Sequence, residues 1–165
     1  MYKRILAPID GSITSTHAFE EALKIARDSD AMLQPLFIVD LQPVTYTAAA
    51  TFYPDMRDAL LEEGRRLTKE AAGRMAREGV KGEPRIAEVE LTGDDIGERI
   101  LHCADDFGAD LVVMGTHGRR GFQRVLLGSV AERFIRLARC PVMLVPGREA
   151  EAQAKQAEEA AHVAE

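Results

Sequence analysis

Gly115, Gly118, Gly121 and Gly128 fall within the segment MGTHGRRGFQRVLLGSVAERF, Met114 to Phe134, together with Arg119, Arg120 and Arg124. Glycine loses more chain entropy on folding than any other residue, so this density needs a local reason. A bound oxyanion is one. Gly115 and Gly118 are free to adopt φ > 0 and to let backbone N–H groups approach a phosphate closely. A β-branched side chain at 118 or 128 would then fill the phosphate space and penalise φ > 0. Gly128-Ser129 opens a helical run, and a helix N-terminus offers free N–H groups and the positive end of its dipole. A competing reading needs no ligand: Ser129 with Glu132 forms an S-x-x-E capping box, and a glycine pair after a strand makes an ordinary turn.

Asp10 is the second candidate. It follows the apolar run ILAPI and precedes Gly11, where a carboxylate can meet a ribose hydroxyl or a metal ion held by phosphates. Its alternative role is that of a turn aspartate capping the helix that begins near Ser12. His17, His102, His117 and His162 are scattered, so metal binding by protein side chains alone is not expected. Cys103 and Cys140 make neither a metal spacing nor a disulfide framework and read as buried small apolar residues. The chain holds no G-x-x-x-x-G-K-[ST], no G-x-G-x-x-G after its first strand and no G-x-S-x-G elbow. These absences weigh against a P-loop NTPase, a dinucleotide dehydrogenase and an α/β hydrolase.

The elements that must position these residues alternate along the chain. Arg4–Ile9 reads as a buried strand, followed by an apolar helical stripe of Phe19, Ala22, Leu23 and Ala26. Met32–Asp40 is a second strand, with Pro35 near its start. The nearly uncharged stretch LQPVTYTAAATFYPDM reads as a loop leading to a helix that carries Leu60, Leu67, Ala71 and Met75 and stops at Gly79 and Gly82. Arg85–Leu91 is an outer strand, and Thr92 with Asp95 offers a capping box for a helix bearing Ile96, Ile100, Ala104 and Phe107, ended by Gly108. Asp110–Gly115 is a core strand, Val130, Phe134 and Leu137 mark the last helix, and Pro141–Pro146 holds the fifth strand. Such βαβ alternation implies an α/β fold, a doubly wound five-stranded parallel sheet with helices on both faces. Ligands of such sheets bind outside the carboxyl ends of the strands, where strand order reverses.

At 165 residues the chain suits one domain with a tail, and 46% hydrophobic against 29% charged residues allow a substantial core. The net charge of −6 gives no general basic field for DNA or RNA. No apolar stretch approaches the roughly 20 residues that span a bilayer, and the apolar run of MYKRILAPID is too short for a signal peptide. A cytoplasmic setting is expected. Residues 147–165, GREAEAQAKQAEEAAHVAE, lack large apolar residues and read as a frayed helix or disordered tail behind a domain over 1–146.

G-T-H-G, nine residues, then G-S-V matches the G-x2-G-x9-G-[ST] signature of the universal stress protein family, in its ATP-binding branch. ILAPID, LFIVD and CPVMLVP resemble that family's first, second and fifth strands, in order. The resemblance implies a Rossmann-like sheet of order 3-2-1-4-5 and a homodimer joined through Val142, Met143, Leu144 and Val145. It implies that ATP, with Mg²⁺, meets Pro8 and Asp10, with Asp10 on the ribose or the metal ion. It places the backbone of Ile38 against adenine, and Phe37 stands where family members usually carry histidine, a change expected to affect packing. Met114 and Gly115 would border ribose and phosphates, while His117, Gly118, Arg119, Gly128, Ser129 and Val130 would surround the triphosphate. The implied activity is nucleotide-dependent regulation of an unknown client protein under stress. The alternatives are a slow ATPase or nucleotidyl-transferring enzyme using the same site, with His117 its only candidate base, and a nucleotide-free interaction module.

Overall fold

The structure, a computed structural model, describes residues 1–41, 53–90, 93–116 and 127–147. In chain order its elements are β1 (Arg4–Pro8), α1 (Ile13–Ser29), β2 (Met32–Val39), α2 (Tyr53–Glu78), β3 (Arg85–Glu88), α3 (Ile96–Phe107), β4 (Leu111–Gly115), α4 (Ser129–Leu137) and β5 (Val142–Val145). The five strands form one parallel sheet of order β3-β2-β1-β4-β5, the order that the family resemblance implies. The tail residues 148–165 lie outside the described residues.

Strand side chains alternate between two cores, as the period of two requires. Ile5, Ala7, Leu33, Phe37, Leu111 and Val113 pack with the α1 stripe Ala18, Phe19, Ala22, Leu23 and Ala26 and with Ala71 and Met75 of α2. Leu6, Leu36, Val112 and Met114 face the other way, onto Ile100, Cys103 and Ala104 of α3 and Ala131 and Phe134 of α4. Ile5 and Leu6, both 0% exposed, show that the central strand is covered on both faces. Each such residue contributes about 1.5–3 kcal/mol through burial.

Pro35 sits inside β2, an inner strand, and tolerates the loss of its N–H because of register. In a parallel ladder alternate residues turn to alternate neighbours. Leu36 and Val39 accept from Ile9 N on the β1 side and from Val89 N on the β3 side, at 2.8 and 2.9 Å. Odd residues of β2 therefore turn toward the β3 side, where Leu33 N bonds Lys81 O at 2.8 Å and strand pairing resumes at Leu36↔Arg85; Pro35 falls in the interruption between the two.

Local expectations change at several points, and α2 begins at Tyr53, inside the stretch read as a loop. The capping box of α3 is not Thr92 with Asp95, because the helix begins at Ile96 and Asp95 itself is the N-cap. Asp95 Oδ1 accepts from Glu98 N at 2.8 Å, and Asp95 N donates to Glu98 Oε2 at 3.1 Å. β3 ends at Glu88 rather than Leu91, with Val89 N still bonded to the strand beside it.

Candidate functional site

The site starts from a gap in the sheet. β1 pairs with β2 as far as Pro8↔Leu36, and β4 pairs with β5 as far as Gly115↔Val145. The register of β1 with β4, however, ends at Leu6↔Val112. The last residues of β1 and β4 therefore part company where strand order reverses, which is where doubly wound sheets open for ligands.

One wall of this opening is the turn after β1. Asp10 Oδ1 accepts from Ser12 N at 2.8 Å, and Asp10 N donates to Ser15 Oγ at 3.2 Å. Ser15, 6% exposed, donates its hydroxyl to Ser12 O at 3.2 Å, so the turn is braced from inside the protein. The cap of α1 is Ser12, whose Oγ accepts from Ser15 N at 3.2 Å. Asp10 is thus not the helix cap; it closes the turn ahead of it. The DGSITS run carries this S-x-x-S bracing, a short-range pattern outside the glycine signature.

The other wall is built by β4 and α4. A Cβ on Gly115 would lie 2.8 Å from Thr14 C and 3.0 Å from Thr14 O. Gly115 is absent from the positive-φ residues, so its glycine is explained by the close approach of α1 and not by φ > 0. Gly128 N donates to Thr116 O at 2.6 Å, which ties the start of α4 to the residue after β4. Gly128 is the N-cap at φ −70°, a value open to any residue, so φ > 0 does not account for this glycine either. The Ser129–Glu132 capping box does not form, because Ser129 is the first helical residue and the N-cap makes no side-chain bond. Glu132 N bonds Gly128 O at 2.9 Å, and the N–H groups of the first turn precede any intrahelical acceptor.

Ile38 completes the frame. Its peptide turns to the β1 side, as that of Leu36 does, two residues past the last β1–β2 pair. Phe37, 3% exposed, is packed under α2, where a Cβ on Gly64 would come within 2.7 Å of its ring. Pro8 ends β1 half-buried, Val130 is half-buried in the first turn of α4, and Met114 is 4% exposed with its side chain in the α3–α4 core. His117, Gly118 and Arg119 lie outside the described residues.

Among the described residues a cleft of about 40 Å³ beside this turn is lined by Ile9, Gly11, Ser15 and Arg74. A cavity of about 260 Å³ lies at the opposite, amino end of the sheet, against Gly108, Phe134 and Cys140, away from the gap. Cys103 is fully buried, whereas Cys140 is only half-buried, and burial pushes both thiols up. No group of three or more His, Cys, Asp or Glu able to hold a metal ion occurs among the described residues. No described helix is long and apolar enough to cross a membrane.

β5 forms one edge of the sheet. Val142 and Leu144 pack against the α3–α4 core, Val145 against the other core, and Met143 is 39% exposed.

A model of the universal stress protein family matches residues 1–146. A universal stress protein of Methanocaldococcus jannaschii is 40% identical over 146 residues, covering 88% of this chain and 82% of that protein. The crystal structure of a universal stress family protein from Burkholderia pseudomallei is 42% identical, with a TM-score of 0.74 and coverage of 88% and 96% of the two chains. A universal stress protein crystallised in complex with cAMP is 26% identical, with a TM-score of 0.64 and coverage of 88% and 98%. With the sheet order, the gap beside β1 and a family match over nearly all of the described chain, this protein belongs to the universal stress protein family.

Proposed function

We propose that the protein binds an adenine nucleotide, ATP with Mg²⁺, in the gap between β1 and β4, and acts as a cytoplasmic, nucleotide-dependent stress regulator rather than by turnover. The observation that carries this reading is the meeting of two walls at one end of the sheet. The braced Asp10 turn forms one wall and the start of α4 at Gly128-Ser129-Val130 the other, and the sequence from Gly115 to Ser129 carries the family signature. Failure of the Ser129 capping box favours the ligand reading, since the hydroxyl stands at a helix N-terminus without the structural task assigned to it. The cAMP-bound relative supports an adenine ligand.

In this reading Ile38 offers its peptide to adenine, while Pro8, Gly115 and the backbone of Met114 line the ribose. Ser129, Val130 and the signature residues His117, Gly118 and Arg119 meet the phosphates. Mg²⁺ is commonly held by one or two carboxylates plus substrate phosphates, and Asp10, oriented by Ser12 N, fits the part of that carboxylate. The nucleotide released on denaturing the purified protein, with calorimetric titration of ATP and Mg²⁺, tests the assignment. Protein that carries no nucleotide and binds none would overturn it.

The same reading includes a homodimer through β5. An edge strand presents unpaired N–H and C=O groups, and VMLV has none of the charges that usually blunt an edge. Two such edges can pair about a two-fold axis. Exposure of Met143 on this strand supports it.

A further inference from the structure

Arg133 joins two helices in an arrangement for which the nucleotide reading leaves room but assigns no role. Each carboxylate of the α3 capping box uses one oxygen for the cap and the other for this guanidinium. Asp95 Oδ1 takes Glu98 N at 2.8 Å, and Asp95 Oδ2 takes Arg133 Nε at 2.9 Å. Glu98 Oε2 takes Asp95 N at 3.1 Å, and Glu98 Oε1 takes Arg133 Nη2 at 2.5 Å. The arginine stem runs over Gly97, where a Cβ would lie 2.8 Å from Arg133 Cγ. A planar, two-pronged guanidinium suits this doubly bridged geometry, and a lysine ammonium does not.

The location gives the bridge its consequence. Arg133 lies four residues after Ser129 and three after Val130, on the helix face they share. Ala131 and Phe134, 3% and 0% exposed, hold α4 to the sheet along one stripe. A single apolar stripe resists lifting better than it resists roll about the helix axis. Arg133 is set around the axis from that stripe, so its bridge to α3 opposes roll. Roll of this short helix would carry the Ser129 hydroxyl and the first-turn N–H groups, which point along the axis, around that axis to new positions relative to the gap.

We propose that Arg133 is a positioning residue for the phosphate end of the site: its bridge to Asp95 and Glu98 fixes the orientation of the α4 N-terminus. The inference rests on the nucleotide reading. Glu98→Gln provides a second variant that keeps the cap, since glutamine also closes a capping box, while removing one of the two carboxylate charges facing Arg133. Arg136 is the control, because its ion pair with Glu132 at 2.8 Å stays within α4.

The full chain as wild type, Arg133→Met, Glu98→Gln, the double variant and Arg136→Met is titrated with ATP and with adenosine. Amide exchange across residues 129–132 is followed without nucleotide. ATP affinity is expected to fall about 3- to 10-fold in Arg133→Met and in Glu98→Gln, with no further loss in the double variant. Adenosine affinity should stay within about twofold, and Arg136→Met should match wild type. Equal ATP affinity in Arg133→Met and wild type, or equal losses for ATP and adenosine, would overturn the positioning role. If Arg133→Met does not fold, Glu98→Gln decides by the same criteria. If wild type binds neither ligand, the nucleotide reading fails and exchange alone decides. Faster exchange in Arg133→Met than in Arg136→Met then upholds control of α4 by Arg133, and equal exchange refutes it.

Discussion

Thr14 occupies the space that a side chain at Gly115 would need, with its backbone carbon 2.8 Å from the position of the missing Cβ. It also crowds Gly147, where a Cβ would meet Thr14 Cγ2 at 2.7 Å. The first turn of α1 is therefore seated directly on the ends of β4 and β5, at the rim of the proposed site. Because backbone atoms make the Gly115 contact, Gly115→Ala must move α1 or β4. It should cost about 1–3 kcal/mol, read by urea denaturation, and Thr14→Ser should not restore it. A Gly115→Ala chain as stable as wild type would contradict the packing argument.

Asp10 and Ser12 separate binding from capping. Ser12→Ala removes the cap of α1 and should cost about 0.5–2 kcal/mol of stability while leaving ATP affinity within about twofold. Asp10→Ala loses the bond from Ser12 N, a cost of about 0.5–1.5 kcal/mol, and should weaken ATP binding in Mg²⁺ clearly more than Ser12→Ala does. If Asp10→Ala lowers stability alone, the carboxylate serves only the turn.

Gly128 adopts φ −70°, so Gly128→Val can fold without left-handed strain. Its bulk would still stand at the mouth of α4. The expected result is a folded protein that no longer binds ATP in calorimetry, and Gly118→Val should behave alike. Wild-type affinity in both folded variants would sink the phosphate assignment.

The edge strand is best probed at its exposed residue. Val142 and Leu144 pack inward, so lysines there would test the core, whereas Met143→Lys adds a charge to the open side. Light scattering should show a wild-type dimer and a Met143→Lys monomer of nearly unchanged melting temperature. A wild-type monomer refutes the edge pairing.

Burial holds the Cys103 thiol above its ordinary range, so the folded chain keeps this proton at a pH where the unfolded chain has released it. The stabilising contribution is complete below the unfolded thiol pKa and is lost as pH rises through the folded one. Stability should decline on the alkaline side, and Cys103→Ala should flatten that decline. Alkylation of the native protein should label half-buried Cys140 before Cys103.

Much of this architecture was legible in residue order because its causes are local. The stripe Phe19, Ala22, Leu23 and Ala26 and the apolar runs at β1 and β4 specify a helix and buried strands by period alone. βαβ alternation then restricts the sheet to a parallel, doubly wound form. Strand order came from the matched family segments, not from periodicity. The spacing of Gly115, Gly118, Gly128 and Ser129 announced the signature, but not why each glycine is present.

Those reasons depend on atoms distant in sequence. Gly115 answers to Thr14, about a hundred positions earlier, and no local pattern encodes that approach. Ser129 and Glu132 have the spacing of a capping box, yet the bond from Gly128 to Thr116 O sets the helix start one residue earlier and leaves the box unformed. Asp10 reads on sequence grounds as a ligand carboxylate or a helix cap, and only the folded turn gives the cap to Ser12 and the bond from Ser12 N to Asp10. Arg133 gains its two partners only where α3 and α4 pack with Gly97 between them. Period and motif are short-range properties of a chain, whereas clearance and hydrogen-bond choice are settled only when separate elements compete for the same space.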